Sequence, residues 1–321
     1  DRELVNVRVV SGSENHANVG TVSFSDDVII CTTQTAILNY KSTALDLSGT
    51  EQRKPLGKFI DKYKIGELFI VVDEAHHTPA YGCRTMLADI SDNMTSSLYV
   101  LGLTATPFHN DPRISGWLQK IYNCGEDGVS FKISEKELQS KNILAVPKYI
   151  QKDTNIKVAV DDKTYKRLQK DHKDLPEDII DELAANNDRN TLIVNDYIQN
   201  KNKYGKTIIF ADRWVQCESI VSKLNNNGIR ADAVYSKVEN GNLSGNDNSG
   251  RTRNELNKIA MDNFRTNKLD VIVNVKMLTE GVDVPDVKTV MLTRQTTSPI
   301  LFTQMVGRAL RGKGAGGGED R

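Results

Sequence analysis

The sequence predicts an α/β protein that forms two domains, each built around a parallel sheet. Short continuous apolar runs recur along the chain, and stretches with helical spacing lie between them. Continuous apolar runs indicate strands that are buried on both faces, which is the pattern of parallel sheets. The chain has 321 residues, which is longer than a domain of the commonest size and suits two domains.

The predicted strands fall into two groups along the chain. They lie at 28–31, 68–72 and 98–101 in the first group and at 207–210, 231–234, 271–273 and 289–292 in the second. Helical spacing is found at 214–225 and at 253–265. Alternation of strands and helices of this kind favours open α/β domains.

The interval between the two groups is polar and predicts helices, particularly at 132–141 and 163–202. Residues 144–147 are a candidate first strand of the second domain. We therefore place the boundary near residue 140, which gives domains of 1–140 and 141–321. A Gly/Asn-rich stretch at 238–251 predicts a mobile loop.

Composition limits the classes of function. No run approaches the roughly 18 apolar residues that a membrane span requires, and the polar opening segment does not resemble a signal peptide. Basic and acidic residues number 42 each, so the chain lacks the positive charge typical of a nonspecific nucleic-acid coat, although a local basic groove is compatible with this balance. The four cysteines form no CxxC pair, which argues against a zinc site and fits a reducing cytoplasm. Cys31 lies in an apolar run and is expected to be buried.

Two adjacent carboxylates follow the second predicted strand, at Asp73 and Glu74. Open α/β sheets bind ligands at the carboxyl ends of their strands. Nucleotide hydrolysis needs Mg²⁺ to neutralise phosphate charge and a base to orient the attacking water. We assign Asp73 to the magnesium shell, through water, and Glu74 to the base. An acidic helix N-cap after a core strand is the alternative, since aspartate favours that position.

Two hydroxyl residues, Thr104 and Thr106, follow the third predicted strand. Their small side chains can hydrogen-bond a neighbouring carboxylate or His76 without filling the cleft. A plain Thr/Pro turn ending at Pro107 explains the same residues without any function.

Several segments, taken in order, resemble the motifs of superfamily 2 helicases. They are 32–35 (TTQT, motif Ib), 73–76 (DEAH, motif II), 104–107 (TATP, motif III), 208–213 (IIFADR, motif IV), 278–285 (LTEGVDVP, motif V) and 304–311 (QMVGRALR, motif VI). An ordered set is far more specific than any single motif. The string DEAHH and motif VI are most similar to the group that contains XPB, RadD and the motor subunits of type I restriction enzymes.

The resemblance implies two RecA-like domains with parallel sheets, the first apparently truncated at its amino end, and ATP in the cleft between them. It also implies that Arg308 and Arg311, three apart on one helix face with Gln304 one turn earlier, act on the γ-phosphate as arginine fingers. A solvent-facing basic helix is the alternative interpretation of motif VI.

The resemblance assigns further residues to nucleotide binding, coupling and nucleic-acid contact. Gly281 permits close backbone approach and Asp283 binds the ribose or links to motif VI, although this segment could equally be a plain loop. His76, with Thr104 and Thr106, couples hydrolysis to the other domain, or is simply a satisfied polar residue beside the acids. The expected contacts to the nucleic-acid backbone are Gln34, Thr35, Arg213 and Thr279.

A phosphate-binding loop of the form GxxxxGK(S/T) does not occur in these 321 residues. The Gly-Lys-Thr at 205–207 precedes an apolar run rather than a helix, so we interpret it as the start of a strand. We expect the first domain to be truncated upstream, because both ends of the chain resemble cuts in a longer one. A degenerate, non-hydrolysing relative is the alternative. Alone, these residues are expected to bind ATP poorly and to hydrolyse it little.

The leading hypothesis is an ATP-dependent DNA helicase or double-strand DNA translocase that uses ATP and Mg²⁺ in DNA repair or defence against foreign DNA. Its expected partners are DNA and a nuclease or other subunits, without a membrane. Its expected location is cytoplasmic, or nucleoid-associated in a prokaryote. An RNA helicase or duplex-RNA-directed motor is one alternative, and a non-hydrolysing nucleic-acid-binding regulatory module is another.

Overall fold

The protein forms two compact units, Asp1–Phe131 and Lys132–Arg321, which we call unit 1 and unit 2. The computed structural model describes residues 5–11, 16–45, 51–62, 66–95, 97–107, 112–122, 129–154, 156, 166, 175–236, 251–275, 277–278, 284, 286–294, 296 and 298–317. All but the last residue of the loop predicted at 238–251, and much of the polar interval at 155–174, lie outside these residues.

The described residues of unit 1 form parallel strand pairs and one antiparallel pair. Its strands are β1 (Val7–Val10), β2 (Val28–Cys31), β3 (Lys41–Leu45), β4 (Glu51–Arg53), β5 (Leu68–Asp73) and β6 (Leu98–Leu103). Its helices are α1 (Thr33–Tyr40), α2 (Pro55–Lys62), α3 (Tyr81–Asn93) and α4 (Pro112–Tyr122), with 3₁₀ turns at Val19–Thr21 and Ala75–His77. Strand β1 pairs in parallel with β2, and β5 pairs in parallel with β6, whereas β3 and β4 are antiparallel. The strands predicted at 28–31, 68–72 and 98–101 are confirmed.

One face of the β5–β6 pair is exposed in the described part of unit 1, so the prediction of burial on both faces is wrong there. Phe69 and Val71 are 67% and 60% exposed, and the rings of Phe69 and Tyr99 stack with centroids 4.6 Å apart. On the other face Tyr122 of α4 packs so closely on Gly102 that a Cβ there would lie 2.6 Å from the ring. Because successive side chains of a strand point to opposite faces, helices that cover one face leave every second residue exposed.

Unit 2 contains a four-stranded parallel sheet in the order β10-β7-β9-β8. Its strands are β7 (Thr207–Phe210), β8 (Ala231–Tyr235), β9 (Val271–Val275) and β10 (Thr289–Leu292). Its helices are α5 (Glu135–Ser140), α6 (Glu177–Ala185), α7 (Asn187–Tyr204), α8 (Trp214–Asn226), α9 (Arg253–Arg265) and α10 (Pro299–Gly307), followed by a 3₁₀ turn at Lys313–Ala315. The strands predicted at 207–210, 231–234, 271–273 and 289–292 and the helices predicted at 214–225 and 253–265 are confirmed. The boundary predicted near residue 140 lies at the end of α5.

The sheet of unit 2 is covered on both faces, as its continuous apolar runs predict. Ile209 of β7 belongs to one apolar cluster, together with Ile220 of α8. Its neighbours Ile208 and Phe210 belong to a second cluster, together with Phe264 of α9. Helices therefore bury alternate side chains of the same strand on opposite sides of the sheet, which explains why these strands carry no polar face.

The predictions for the start of β7 and for residues 144–147 have different outcomes. Gly205 ends α7 with a φ of 59° and Thr207 begins β7, so the interpretation of 205–207 as the start of a strand is confirmed. Residues 144–147 form no strand, contrary to the prediction, because Leu144 makes only an isolated antiparallel bridge with Arg311. Pro147 has no backbone N–H and cannot extend such pairing.

None of the helices formed by the described residues has the length and apolar character needed to cross a lipid bilayer.

Candidate functional site

The two adjacent carboxylates lie at the carboxyl end of β5, where the chain makes a sharp turn. Asp73 is the last residue of the strand, and Glu74 has a φ of 51° and a ψ of 48°. A residue with a Cβ rarely adopts this left-handed conformation, which turns the chain directly into the 3₁₀ turn at Ala75–His77. The Asp73 Oδ1 atom accepts a hydrogen bond of 3.0 Å from the Glu74 N–H. The turn thus presents an exposed Asp73 and a half-buried Glu74 at one edge of the sheet.

His76 joins the carboxylate turn to the segment that follows β6. Its Nδ1 atom lies 3.0 Å from Thr104 Oγ1, 3.3 Å from Thr106 Oγ1 and 3.4 Å from Glu74 Oε2. The Thr106 N–H also donates to Thr104 Oγ1 at 3.0 Å. His76 is only 1% exposed, so its ring is held in one orientation. The structure therefore brings together the residues of motifs II and III, as the sequence leads us to expect from the pairing of parallel strands.

Asp73 is the exposed carboxylate at the end of β5 that the sequence assigns to a magnesium shell. The described residues contain no cluster of three or more His, Cys, Asp or Glu side chains placed to hold a metal. Mg²⁺ in nucleotide sites is commonly held by one or two carboxylates together with water and substrate phosphates. A single exposed carboxylate at a strand end fits that arrangement.

The two arginines of motif VI do not lie on one helix, so that expectation is wrong. Helix α10 ends at Gly307, and Arg308 is its C-cap with a φ of −64°. The Arg308 Nε–H donates to the Gln304 carbonyl oxygen at 3.3 Å, which holds the guanidinium against the last turn. Arg311 lies beyond the helix, in the bridge with Leu144.

Backbone contacts with residues 142–145 explain why the helix stops. The Ala145 N–H donates to the Leu310 carbonyl at 2.8 Å, and the Gly312 N–H donates to the Ile143 carbonyl at 2.9 Å. A Cβ at Gly312 would lie 2.3 Å from the Asn142 carbonyl oxygen, so only glycine fits there. This bridge places Arg311 on an extended segment beyond the end of the helix.

The residues expected to contact nucleic acid have distinct environments. Gln34 is exposed in the first turn of α1, and the Thr35 N–H donates to the N-cap hydroxyl of Thr32 at 3.1 Å. Arg213 precedes α8 and forms ion pairs with two acids of α6, Asp181 at 2.5 Å and Glu177. A phosphate that binds Arg213 must therefore compete with two carboxylates. Thr279, Gly281 and Asp283 lie outside the described residues.

A buried polar network at the carboxyl end of β7 was not predicted from the sequence. The Asp212 N–H donates to Gln216 Oε1 at 2.9 Å, and Gln216 Nε2 donates to Asn190 Oδ1 at 3.0 Å. The Arg189 guanidinium lies 3.9 Å from Asp212 Oδ2 and donates to the Thr293 carbonyl. Burial lowers the pKa of Arg189, and the nearby Asp212 carboxylate opposes that shift. In the sequence these residues look like the polar face of a helix, and only the fold shows that they are buried.

Comparison with known proteins identifies the class and then the family. Parallel sheets in two units, paired acids at a strand end and arginines after the last helix are features found in helicase-type proteins. Residues 6–109 match the family described as type III restriction enzyme, res subunit, and residues 187–313 match the family described as helicase conserved C-terminal domain. The chain belongs to helicase superfamily 2 and is related to its restriction-motor group.

Two curated relatives match three quarters of the chain. A candidate helicase 22 of Sulfolobus islandicus filamentous virus is 26% identical over 249 residues, which are 75% of this chain and 39% of the viral protein. A candidate ATP-dependent helicase, IRC3 of Saccharomyces cerevisiae, is also 26% identical over 249 residues, which are 75% of this chain and 32% of the yeast protein. The chain thus spans well under half the length of these relatives.

The fold is also that of a solved two-domain helicase. A variant of Saccharomyces cerevisiae Dbp5, solved bound to RNA and ADP BeF3, aligns with a TM-score of 0.50 over 98% of this chain and 63% of its own. The sequence identity is 13%. This likeness confirms the prediction of two RecA-like domains with parallel sheets.

Proposed function

We propose that this chain carries the hydrolytic and nucleic-acid-coupling residues of an ATP-dependent DNA helicase or double-strand DNA translocase. The observation that carries the proposal is the cluster at the carboxyl edge of β5 and β6, where Glu74 and two threonine hydroxyls all lie within 3.4 Å of the buried His76. Membership of superfamily 2 supports the same conclusion.

The two carboxylates have separate roles in the proposed reaction. Asp73 is exposed and binds Mg²⁺ through water, and the ion, when bound, neutralises charge on the nucleotide phosphates. Glu74 orients the attacking water and accepts its proton. The contact with His76 holds the Glu74 side chain in place, so a shift of the His76 ring changes the position of the base.

Motif VI completes the proposed chemistry from unit 2. Arg308 and Arg311 stabilise the charge that develops on the γ-phosphate, and Gln304 positions Arg308 through its carbonyl oxygen. Gly281 and Asp283 contribute to nucleotide binding. Arg308 is held by the end of the helix, whereas Arg311 is held by the bridge to Leu144. Because their backbone conformations differ, we expect the two arginines to contribute differently to the rate of hydrolysis.

The proposed nucleic-acid contacts are directed at phosphates and carry little sequence information. Gln34 and Thr35 act from the start of α1, Arg213 from the end of β7, and Thr279 from motif V. His76, Thr104 and Thr106 couple the binding of nucleic acid at these contacts to the hydrolysis of ATP. The match to a restriction-motor family supports DNA as the substrate and defence or repair in the cytoplasm as the setting, with a nuclease or other subunits as partners.

The test is ATP turnover by the complete protein with no nucleic acid, with duplex DNA, with single-stranded DNA and with RNA. We expect DNA to stimulate turnover and we expect the Glu74→Gln variant to lose turnover while still binding ATP. Stimulation by RNA alone would replace DNA by RNA as the substrate. Turnover that no nucleic acid changes would overturn the proposed function.

A further inference from the structure

Two helices of unit 1 together expose a cluster of two aromatic rings and two cations, which we call the aromatic–basic patch: Tyr81, Arg84, Trp117 and Lys120. The Arg84 guanidinium lies 4.5 Å from the centre of the Trp117 ring and 5.5 Å from that of Tyr81. The Lys120 ammonium lies 4.8 Å from the Trp117 ring centre. Each helix thus contributes one ring and one cation three residues apart, which places them on one helix face.

The patch is accessible and positively charged. Tyr81 is 74% exposed and Trp117 is 36% exposed. Within the part of the chain that the structure describes, neither Arg84 nor Lys120 pairs with a carboxylate. Other cations of the described residues have acidic partners, as Arg213 and Lys206 do. Unneutralised cations beside exposed rings favour a ligand that has both negative charge and flat aromatic groups.

The patch also lies beside the residues proposed for nucleic-acid contact and hydrolysis. A Cβ at Gly82, next to Tyr81, would lie 3.2 Å from Ile37 of α1, so α3 begins in contact with the helix that carries Gln34 and Thr35. At the other end, Tyr122 of α4 hydrogen-bonds Thr78 at 2.7 Å, two residues after His76. A strand that reaches the patch from α1 is therefore connected, through α4, to the turn that holds Glu74.

We propose that the aromatic–basic patch binds a nucleic-acid strand that has at least one unpaired base. The base stacks against the rings of Tyr81 and Trp117, and Arg84 and Lys120 bind the adjoining phosphates. This inference rests on the proposed function and deepens it, because a stacking site for unpaired bases belongs to an activity that separates strands. Stacking of bases on aromatic side chains tolerates any sequence, since every base has a flat face.

The position of the two tryptophans allows a direct test. The chain contains Trp117 in unit 1 and Trp214 in unit 2 and no other tryptophan. In a Trp214→Phe variant of the full chain, titration with oligo(dT) or oligo(U) should quench the fluorescence of Trp117 in a saturable manner. An abasic oligonucleotide of the same length should bind through its phosphates with little quenching. The Trp117→Phe variant, which keeps only Trp214, is the matched control.

Affinity measurements separate the contribution of base stacking from that of the phosphate contacts. Tyr81→Ala should weaken binding of oligo(dT) by about 10-fold, which is the order expected for the loss of one stacked base. Tyr99→Ala, an exposed ring near the amino end of β6, should leave the affinity unchanged. Lys120→Gln should lower the slope of log affinity against log salt by about 1, as expected for one lost phosphate contact.

The outcomes distinguish this inference from the proposed function. If oligonucleotides bind by fluorescence anisotropy but neither quench Trp117 nor respond to Tyr81→Ala, the patch is not a nucleic-acid site and the proposed function stands. A patch that binds a protein partner instead would also leave Trp117 unquenched by oligonucleotides and the affinity unchanged by Tyr81→Ala. If no DNA or RNA binds to the chain at all, both the inference and the proposed function fail.

Discussion

At the scale of single residues, Glu74 combines an uncommon backbone conformation with the chemistry expected of a base. Its φ of 51° costs about 1–3 kcal/mol for a residue with a side chain. A plain acidic N-cap needs no such conformation, because cap residues adopt extended backbone. The left-handed turn therefore favours the functional interpretation of the acidic pair over the N-cap that the sequence alone left open.

Glu74→Gln should lower ATP turnover of the complete protein by at least about 100-fold, because a glutamine amide cannot accept the proton of the attacking water. Nucleotide binding should persist, since the amide keeps the size of the side chain. Turnover and the affinity for a fluorescent ATP analogue are the two measurements. Glu67→Gln, on an exposed residue just before β5, is the matched control and should leave both values unchanged. Turnover retained by Glu74→Gln would show that another group is the base.

The threonines around His76 allow the coupling role to be tested separately from the chemistry. Thr104→Val removes a hydroxyl 3.0 Å from His76 Nδ1 and also the acceptor for the Thr106 N–H. We expect a stability loss of about 1 kcal/mol and a reduced stimulation of turnover by nucleic acid, with basal turnover changed much less. Thr106→Val removes the longer contact of 3.3 Å and should have the smaller effect. Equal losses of basal and stimulated turnover would contradict a coupling role.

At the scale of elements, a charged cluster joins α3 to the β3–β4 pair in unit 1. Asp89 of α3 accepts hydrogen bonds from Tyr40 at 2.5 Å, from Arg53 at 3.0 Å and from Lys41. Burial alone would raise the pKa of Asp89, but these donors outweigh it and lower the pKa from 3.8 to about 2. The cluster therefore stabilises unit 1 only while Asp89 is ionised.

Because the folded-state pKa of Asp89 lies below its unfolded value, its contribution is complete above the ordinary aspartate range and is lost as pH falls from 3.8 to about 2. Asp89→Asn should lower the free energy of unfolding by about 2 kcal/mol near neutral pH and should flatten the loss of stability in that acidic interval. Urea unfolding at several pH values measures both effects. Asp92→Asn, on an exposed residue of the same helix, should change neither.

The segment after α10 shows why a motif can be recognised in the sequence while its geometry is not. The residues of motif VI were predicted, but their placement on one helix was wrong because the pairing of Leu144 with Arg311 ends the helix at Gly307. A contact between residues so distant in the chain leaves no local pattern. The side-chain types determine the motif, whereas the long-range backbone contact determines where the helix stops.

Gly312→Ala should displace this segment, because the new Cβ would lie 2.3 Å from the Asn142 carbonyl. We expect a stability loss of about 1–3 kcal/mol and faster amide exchange at Ala145 and Gly312, whose hydrogen bonds span the bridge. Gly307→Ala is the matched control, since a Cβ there meets nothing within 4 Å and alanine favours a helix. Similar effects of the two substitutions would show that the close approach at Gly312 does not hold the segment.

At the scale of the whole molecule, the sheet of unit 2 was predictable and much of unit 1 was not. The runs at 208–210 and 271–273 are apolar at every position because helices cover both faces of that sheet. The same kind of run in β5 and β6 leaves Phe69 and Val71 exposed, which the apolar pattern alone could not reveal. Strand β1 and the β3–β4 pair were missed, since their short mixed sequences depend on partners elsewhere in the chain for their structure.

The difference in coverage between the sheets predicts that the units unfold separately, with unit 1 first. Unit 2 buries both faces of its sheet, whereas the described part of unit 1 leaves one face of β5–β6 exposed and so gains less from apolar burial. Each unit contains one tryptophan, so Trp214→Phe reports urea unfolding of unit 1 through Trp117, and Trp117→Phe reports unit 2 through Trp214. Different midpoints are expected.

Asp89→Asn and Gly312→Ala test whether each tryptophan reports the unfolding of its own unit. Asp89→Asn should lower the midpoint seen by Trp117 and leave the one seen by Trp214 unchanged, because Asp89 lies in unit 1. Gly312→Ala should do the reverse, because Gly312 lies in unit 2. If both tryptophans instead report one midpoint, and either substitution moves both signals together, the two units unfold as one cooperative body and the predicted order of unfolding is wrong.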